Sequence, residues 1–200
     1  MLDLETLGNK PGSVIVAIGA VKFGNGGIID SFYVRVDAES CVAAGLKLDV
    51  STVLWWLTQS DAARLEITKP GQLLTAVLIC FAEWVGDKDA EVWGSGAAFD
   101  NALLAAAYDA TGTPRPWKFS NDRCYRTVKN LYPDVPLARA GTHHNALDDA
   151  ESQARHLMLI LSGGGGAELV GDGNASTRSG AGSASAKLCE PGGERSHDAR

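Results

Sequence analysis

Acidic side chains in three separate segments of this chain have the type and spacing to bind divalent cations. Asp3 and Glu5 lie two residues apart in a short alternating stretch. A strand places residues i and i+2 on one face, so both carboxylates point to one side of the sheet and Leu2 and Leu4 to the other. Such a pair on a strand edge is usually a solvated surface. Because an apolar segment follows directly, we expect a central strand whose two carboxylates need a cation.

The second segment holds Asp100, just inside a helix that follows Trp93-Gly94-Ser95-Gly96. The glycines allow a tight turn from a strand end into a helix, which is where ligands bind in α/β sheets. An acid at this position is also typical of a helix cap, so Asp100 alone does not decide between the two roles.

The third segment, 142–150, offers two histidine–aspartate pairs of equal spacing, His143 with Asp148 and His144 with Asp149. Spacing alone cannot choose between them. The helix predicted over 145–161 places Asp149 on its apolar stripe and Asp148 on its charged face. A carboxylate on an apolar stripe is costly unless it is paired or binds a metal, which favours His144 and Asp149.

Four carboxylates and one imidazole have a joint chemical meaning. Hard oxygen ligands suit two Mg²⁺ or Mn²⁺ ions, which lie about 4 Å apart in enzymes that cleave phosphodiesters. An imidazole that titrates near neutrality can accept the proton of the attacking water. The residue types therefore predict metal-dependent hydrolysis of a phosphodiester.

The ordered set of motifs resembles the DEDDh 3′-5′ exonucleases, which have a ribonuclease H-like fold. The motifs are Asp3-Leu4-Glu5-Thr6, Phe99-Asp100 and His144 to Ala150. Segments 55–60, 93–96 and 123–127 are similar to extra motifs of the small phage and bacterial exonucleases typified by phage exonuclease A. The resemblance covers nearly all of 1–150.

The resemblance implies a role for each matching residue. Asp3, Glu5, Asp100 and Asp149 would ligate two Mg²⁺ or Mn²⁺ ions, and His144 would be the general base. The reaction would release nucleoside 5′-monophosphates from a free 3′ end of DNA or RNA. Two alternatives remain: a two-metal phosphodiesterase acting on short RNA or nucleotide conjugates, and a non-catalytic binding module that retains the fold.

Further residues are candidates for substrate binding. Aromatic side chains can stack on splayed bases, although we expect at least one of Trp55 and Trp56 to belong to the core. A basic stretch over 115–129 could track phosphates or form an ordinary charged surface. The candidates are Thr6, Leu7, Trp55, Gln59, Phe99, Arg123 and Arg126. His156 and His197 show no partner in the sequence and are predicted to be solvated.

The pattern of elements predicts an α/β fold with a mixed five-stranded sheet flanked by helices. Strands are expected near 2–5, 13–23 and 28–36, antiparallel to one another, because turn residues separate three closely spaced β-type segments. Helices over 53–63, 73–85, 97–108 and 145–161 follow, with a short strand at 91–93 and a last strand and helix within 117–132. Three antiparallel strands followed by alternating helices and strands indicate an α/β arrangement with a mixed sheet, and the family resemblance implies that this sheet is ribonuclease H-like.

Composition sets the remaining expectations. The chain has 200 residues, 45% of them hydrophobic, and a net charge of -6, which excludes collagen-like and disulfide-dense proteins and argues against a non-specific DNA coater. We expect an exonuclease domain over 1–161 and a flexible Gly/Ser/Ala-rich tail over 162–200.

An acidic start, an apolar run of only about ten residues and four scattered cysteines predict a cytoplasmic protein with free thiols and no membrane partner. A homodimer is compatible with the sequence.

Overall fold

A mixed five-stranded sheet forms the centre of the computed structural model, which describes residues 1–139 and 141–163. The strand order is β3-β2-β1-β4-β5. The first three strands are antiparallel, and β4 and β5 continue the sheet in parallel. The α/β prediction with three antiparallel strands first is confirmed. The strands are β1 Leu2–Thr6, β2 Ile15–Gly24, β3 Gly27–Arg35, β4 Val92–Gly94 and β5 Asp122–Cys124.

Seven α-helices and one 3-10 turn (Phe119–Asn121) accompany the strands in the described residues. The helix predicted over 53–63 is in fact two helices: Thr58 caps the end of the first, and Ser60 caps the start of the second by accepting the backbone N–H of Ala63. A short helix capped by Asp37 was not predicted. The helices are α1 Ala38–Ala43, α2 Val50–Leu57, α3 Asp61–Thr68, α4 Leu74–Val85, α5 Asp100–Thr111, α6 Tyr125–Leu131 and α7 Ala146–Leu161.

Helices cover both faces of the sheet, which explains why β2 is apolar on both sides. Leu2 and Leu4 pack on one face with residues of α4 and α5 in a large hydrophobic cluster. Val21 packs on the other face with Leu157 of α7 in a smaller cluster. The carboxylates of β1 therefore face α7, opposite the larger cluster.

The prediction that His156 is solvated is wrong. Its side chain is 3% exposed, and its ring nitrogens bond to the Tyr125 hydroxyl at 2.6 Å and the Val135 carbonyl at 2.8 Å. The cause is that α7 buries this face against α6, a contact the sequence pattern did not reveal. His197 and nearly all of the predicted tail lie outside the described residues.

Two further expectations concern the cysteines and membranes. Cys41 and Cys124 carry free thiols, whereas Cys80 is disulfide-bonded, so the expectation of four free thiols is wrong at Cys80. Cys189 lies outside the described residues. Within the described ranges, no helix has the length and apolar character needed to cross a membrane.

Gly19 fixes the height at which α7 lies over the sheet. It pairs with Asp3 across the β1–β2 ladder. A Cβ at this position would lie 2.1 Å from the backbone of Ala146, the first residue of α7. Only a glycine allows the start of α7 to approach the sheet this closely beside Asp3.

We expect Gly19→Ala to push α7 away from the sheet, because the clashing group is backbone and cannot rotate aside. The free energy of unfolding should fall by about 3 kcal/mol, the upper range for overpacking, measured by chemical denaturation. Gly26→Ala is the matched control, since a Cβ there meets no atom within 4 Å. Equal stability of the two variants would contradict this account.

Candidate active site

Strand β1 carries the first two carboxylates into the centre of the molecule. β1 lies between β2 and β4 in the sheet, with Asp3 paired to Gly19 of β2, and Glu5 is 6% exposed. The pairing register shifts after Glu5, where Thr6 leaves the regular ladder and its hydroxyl donates to the Gly8 carbonyl at 2.7 Å. Both carboxylates therefore lie on one rigid strand, as the spacing predicts.

Asp100 begins α5, directly after the turn that follows β4. The turn brings Asn101 so close to Gly94 that a Cβ at Gly94 would lie 2.3 Å from Asn101 Oδ1. The Asn101 amide donates to the Val92 carbonyl and to Asp122, which ties the start of α5 to β4 and β5. Asp100 is 1% exposed, and its Oδ2 atom is buried with no hydrogen-bond partner within the described residues. A buried, unpartnered carboxylate oxygen is what a metal ligand looks like without its ion.

The loop before α7 distinguishes the two histidine–aspartate pairs. Asp148 accepts the Thr142 backbone N–H at 2.7 Å and occupies the space where a Cβ of Gly141 would lie. Asp148 therefore holds the loop, while Asp149 is buried and faces the cleft. The His144 backbone N–H donates to Asp149 Oδ2 at 2.9 Å.

His144 has an unusual backbone. It is the only non-glycine residue of the described chain with a positive φ, at 65°. Such conformations are uncommon and cluster at functional sites, where the surrounding structure enforces them. Here the loop hydrogen bonds and the contact with Asp149 hold the backbone.

Two tryptophans of α2 pack against the His144 ring. The ring centroids lie 5.1 Å from Trp55 and 5.8 Å from Trp56, both edge-on. Trp56 is 3% exposed and donates its indole N–H to the Thr6 carbonyl at 2.9 Å, so the expectation that one tryptophan belongs to the core is confirmed. Trp55 is 44% exposed and borders the cleft.

Three elements thus bring the acids together at a cleft of about 380 Å³. Carboxylate oxygens of Asp3, Glu5 and Asp149 lie within 4.8 Å of one another. A second group within the same distance joins Asp149 to His143 and His144, but it is more exposed. Oxygen donors at this spacing, with Asp100 beside them, fit Mg²⁺ or Mn²⁺.

Burial and repulsion between neighbouring acids raise the pKa values of Asp3, Glu5 and Asp100. Burial, then the charges of Asp100 and Glu5, raise the pKa of Asp3 well above its ordinary value. Burial, then Asp149 and Asp100, raise the pKa of Glu5 to about 8. Burial raises the pKa of Asp100 to about 7, against the opposing effect of nearby backbone N–H groups and Arg126. The protein's own positive groups therefore do not balance the charge that these acids carry when ionised, as expected of a site that binds cations.

The predicted site residues divide into two groups by position. Nine of them line the cleft: Asp3, Glu5, Thr6, Trp55, Phe99, Asp100, Arg126, His144 and Asp149. The other three point elsewhere. Leu7 packs against the large hydrophobic cluster, Gln59 donates to the Trp55 carbonyl, and Arg123 pairs with Glu91 at 2.7 Å. The geometry gives no support to a substrate contact by these three.

Sequence reasoning did not identify two polar residues of the cleft as functional. Arg139 lies outside the basic stretch, yet its Nη1 donates to Asp149 Oδ1 at 2.6 Å. Gln153, one turn after Asp149, donates to Asp3 Oδ1 at 2.8 Å. Gln153 lies on the same helical stripe as Asp149, and this position could have identified it as a site residue from the sequence. No sequence pattern marks Arg139.

The raised pKa values predict how metal-free stability changes with pH. Glu5 is protonated in both states below its ordinary pKa of 4.5. Between 4.5 and about 8 it ionises in the unfolded chain but keeps its proton when folded, so stability falls as pH rises through this window. The loss is about 1.4 kcal/mol for each pH unit crossed.

Thermal melts in chelator from pH 5 to pH 8 should therefore show a declining Tm, and the decline should be less steep in Glu5→Gln, because that side chain cannot ionise. The exposed control Glu83→Gln should follow the wild type. An unchanged slope in Glu5→Gln would contradict the assignment.

Comparison with known protein families agrees with this geometry. The family described as the Rv2179c-like 3′-5′ exoribonuclease domain matches residues 1–161. No match was found among curated proteins. The ribonuclease H-like fold, a hydrolytic exonuclease and a nucleic-acid substrate are all consistent with that family. The more specific likeness to phage exonuclease A stays a prediction. By its sequence over 1–161, the chain belongs to the Rv2179c-like 3′-5′ exoribonuclease domain family.

Proposed function

We propose that this protein is a metal-dependent exonuclease that removes nucleoside 5′-monophosphates from the 3′ end of RNA. The observation that carries the proposal is the convergence of buried and half-buried carboxylates: three have oxygens within 4.8 Å of one another, and Asp100 adds a buried oxygen without a partner among the described residues. Membership of an exoribonuclease family favours RNA over DNA. Residues 1–161 would form the catalytic domain. A cytoplasmic location and a homodimer stay predictions.

Asp3, Glu5, Asp100 and Asp149 would hold two Mg²⁺ or Mn²⁺ ions. When bound, such ions activate the attacking water and stabilise charge on the scissile phosphate and the leaving oxygen. The carboxylates lie on β1 and at the starts of α5 and α7, so the backbone that carries them needs little reorganisation when cations bind.

His144 would accept the proton of the attacking water. Its ring lines the cleft and packs against Trp55 and Trp56. Burial and the neighbouring His143 lower the pKa of His144, against the opposing charge of Asp149. The ring is thus unprotonated at neutral pH, as a general base must be.

The remaining cleft residues would hold the terminal nucleotides. Trp55 and Phe99 present aromatic surface for base stacking, and Arg126 lies beside Asp100 where a phosphate would pass. Thr6 adjoins the carboxylates, with its carbonyl fixed by Trp56. The cleft volume of about 380 Å³ is in the range of small-ligand sites, which suits a strand end better than a duplex.

Asp149→Asn should abolish hydrolysis, with a loss of about 10³-fold or more, because a cation ligand and its charge disappear together. The assay uses 5′-labelled single-stranded RNA, duplex RNA and single-stranded DNA with Mg²⁺ or Mn²⁺. The wild type should give a ladder that shortens from the 3′ end and should cleave RNA faster than DNA. Asp148→Asn is the matched control, because Asp148 holds the loop through Thr142 and does not line the cleft. Wild-type cleavage without added metal, after chelation, would contradict the proposal.

His144→Ala should lower kcat by about 10²–10⁴-fold, the usual contribution of a general base. In the wild type the rate should fall as pH drops below the depressed pKa of His144, because the ring then gains a proton. This acidic limb should vanish in His144→Ala. His143→Ala is the matched control and should keep the limb. If instead the limb is lost in His143→Ala alone, the base is His143.

A further inference from the structure

We propose that Arg139 is an exchangeable counter-ion of the active site. In the metal-free protein its guanidinium neutralises Asp149, and when cations occupy the carboxylates it moves to a phosphate group of the RNA. The inference rests on the proposed metal-dependent function and assigns a role to a residue that the motifs do not include.

The contact with Asp149 competes directly with a cation. Arg139 Nη1 lies 2.6 Å from Asp149 Oδ1. The other carboxylate oxygen already accepts the His144 backbone N–H at 2.9 Å. Both oxygens of Asp149 are therefore engaged, and the Oδ1 bond is the one made by a side chain that can move. A cation bound at Oδ1 would lie beside the guanidinium and repel it, so the two positive charges compete for this oxygen.

The pair has the form of a separable contact. A single N–H···O bond joins Arg139 to Asp149, and the Arg139 side chain is 49% exposed. By contrast, Arg35 donates two bonds to Glu66 and its side chain is 29% exposed. The Asp149 side chain is 11% exposed, so the half-exposed guanidinium is the partner that water can take up when the pair separates, and this keeps the cost of separation modest.

The position of Arg139 provides a destination for the displaced guanidinium. Arg139 and Arg126 both line the cleft, one beside Asp149 and the other beside Asp100. Cations bound between the acids would remove the attraction that holds Arg139 at Asp149. An RNA phosphate then offers a new anionic acceptor, for which the planar guanidinium is well suited.

Linkage gives the proposal a signature that a fixed structural ion pair lacks. A contact present only without metal stabilises the metal-free protein and weakens metal binding by the same factor. Removal of Arg139 should therefore lower the Tm of the metal-free protein but leave the Tm of the Mn²⁺-saturated protein unchanged.

The experiment compares the wild type with Arg139→Gln, Arg139→Lys and the control Arg155→Gln. Arg155 pairs with Glu151 on the exposed side of α7, so its loss removes the same charge away from the cleft. Calorimetry with MnCl₂ alone should show about tenfold tighter binding to Arg139→Gln, equal to about 1.4 kcal/mol. Steady-state kinetics on RNA should show KM raised about tenfold and kcat changed by less than about threefold. Arg139→Lys should restore the wild-type Mn²⁺ affinity and only part of the KM.

The outcomes separate this inference from the proposed function. If the wild type binds Mn²⁺ and cleaves RNA, but Arg139→Gln matches it in Mn²⁺ affinity and KM, the role of Arg139 alone is overturned. The same holds if Arg139→Gln loses equal Tm with and without Mn²⁺, since the pair would then persist in the loaded protein. If the wild type binds no Mn²⁺, the proposed function fails together with this inference.

Discussion

Repulsion between buried carboxylates is the constraint on which the rest of this structure depends. Asp3, Glu5, Asp100 and Asp149 come from three elements and meet in one cleft. Burial there raises the pKa values of Asp3, Glu5 and Asp100 and so disfavours their charged forms. Nothing local would keep them together, because like charges in a low dielectric repel strongly. The sheet and the helices on its two faces must supply the opposing free energy, and they do so through hydrophobic burial.

Polar groups placed around the acids offset part of the repulsion between them. Two of the acids, Asp100 and Asp149, lie in the first turns of α5 and α7, where the helix N-terminus carries partial positive charge. Gln153 donates to Asp3 and Arg139 to Asp149. These contacts offset only part of the cost of burying the acids, and the raised pKa values of Asp3, Glu5 and Asp100 mean that bound protons offset more of it in the metal-free protein. A fully neutralised cluster would fold more easily but would have less attraction for cations.

The sequence predicts the parts of this site that follow from periodicity. The i, i+2 spacing places Asp3 and Glu5 on one face, and the helical stripe favours Asp149 over Asp148. Contacts between segments distant in sequence are not encoded in such patterns. Gln59 follows two tryptophans, yet its amide donates back to the Trp55 carbonyl of the preceding helix, α2. The burial of His156 likewise depends on its contact with Tyr125 of α6, and no local sequence pattern predicts that contact.

Acidity and a nucleic-acid partner are compatible here because of where the positive charges lie. The chain has a net charge of -6, so a long RNA backbone gains little from its surface as a whole. Arg126 and Arg139 instead line the cleft, the first near Asp100 and the second against Asp149. In the proposed function, attraction for the polyanion is confined to a place that only a strand end can reach, and it requires bound cations. The charge distribution that disfavours non-specific coating of nucleic acid therefore favours an enzyme that acts on termini.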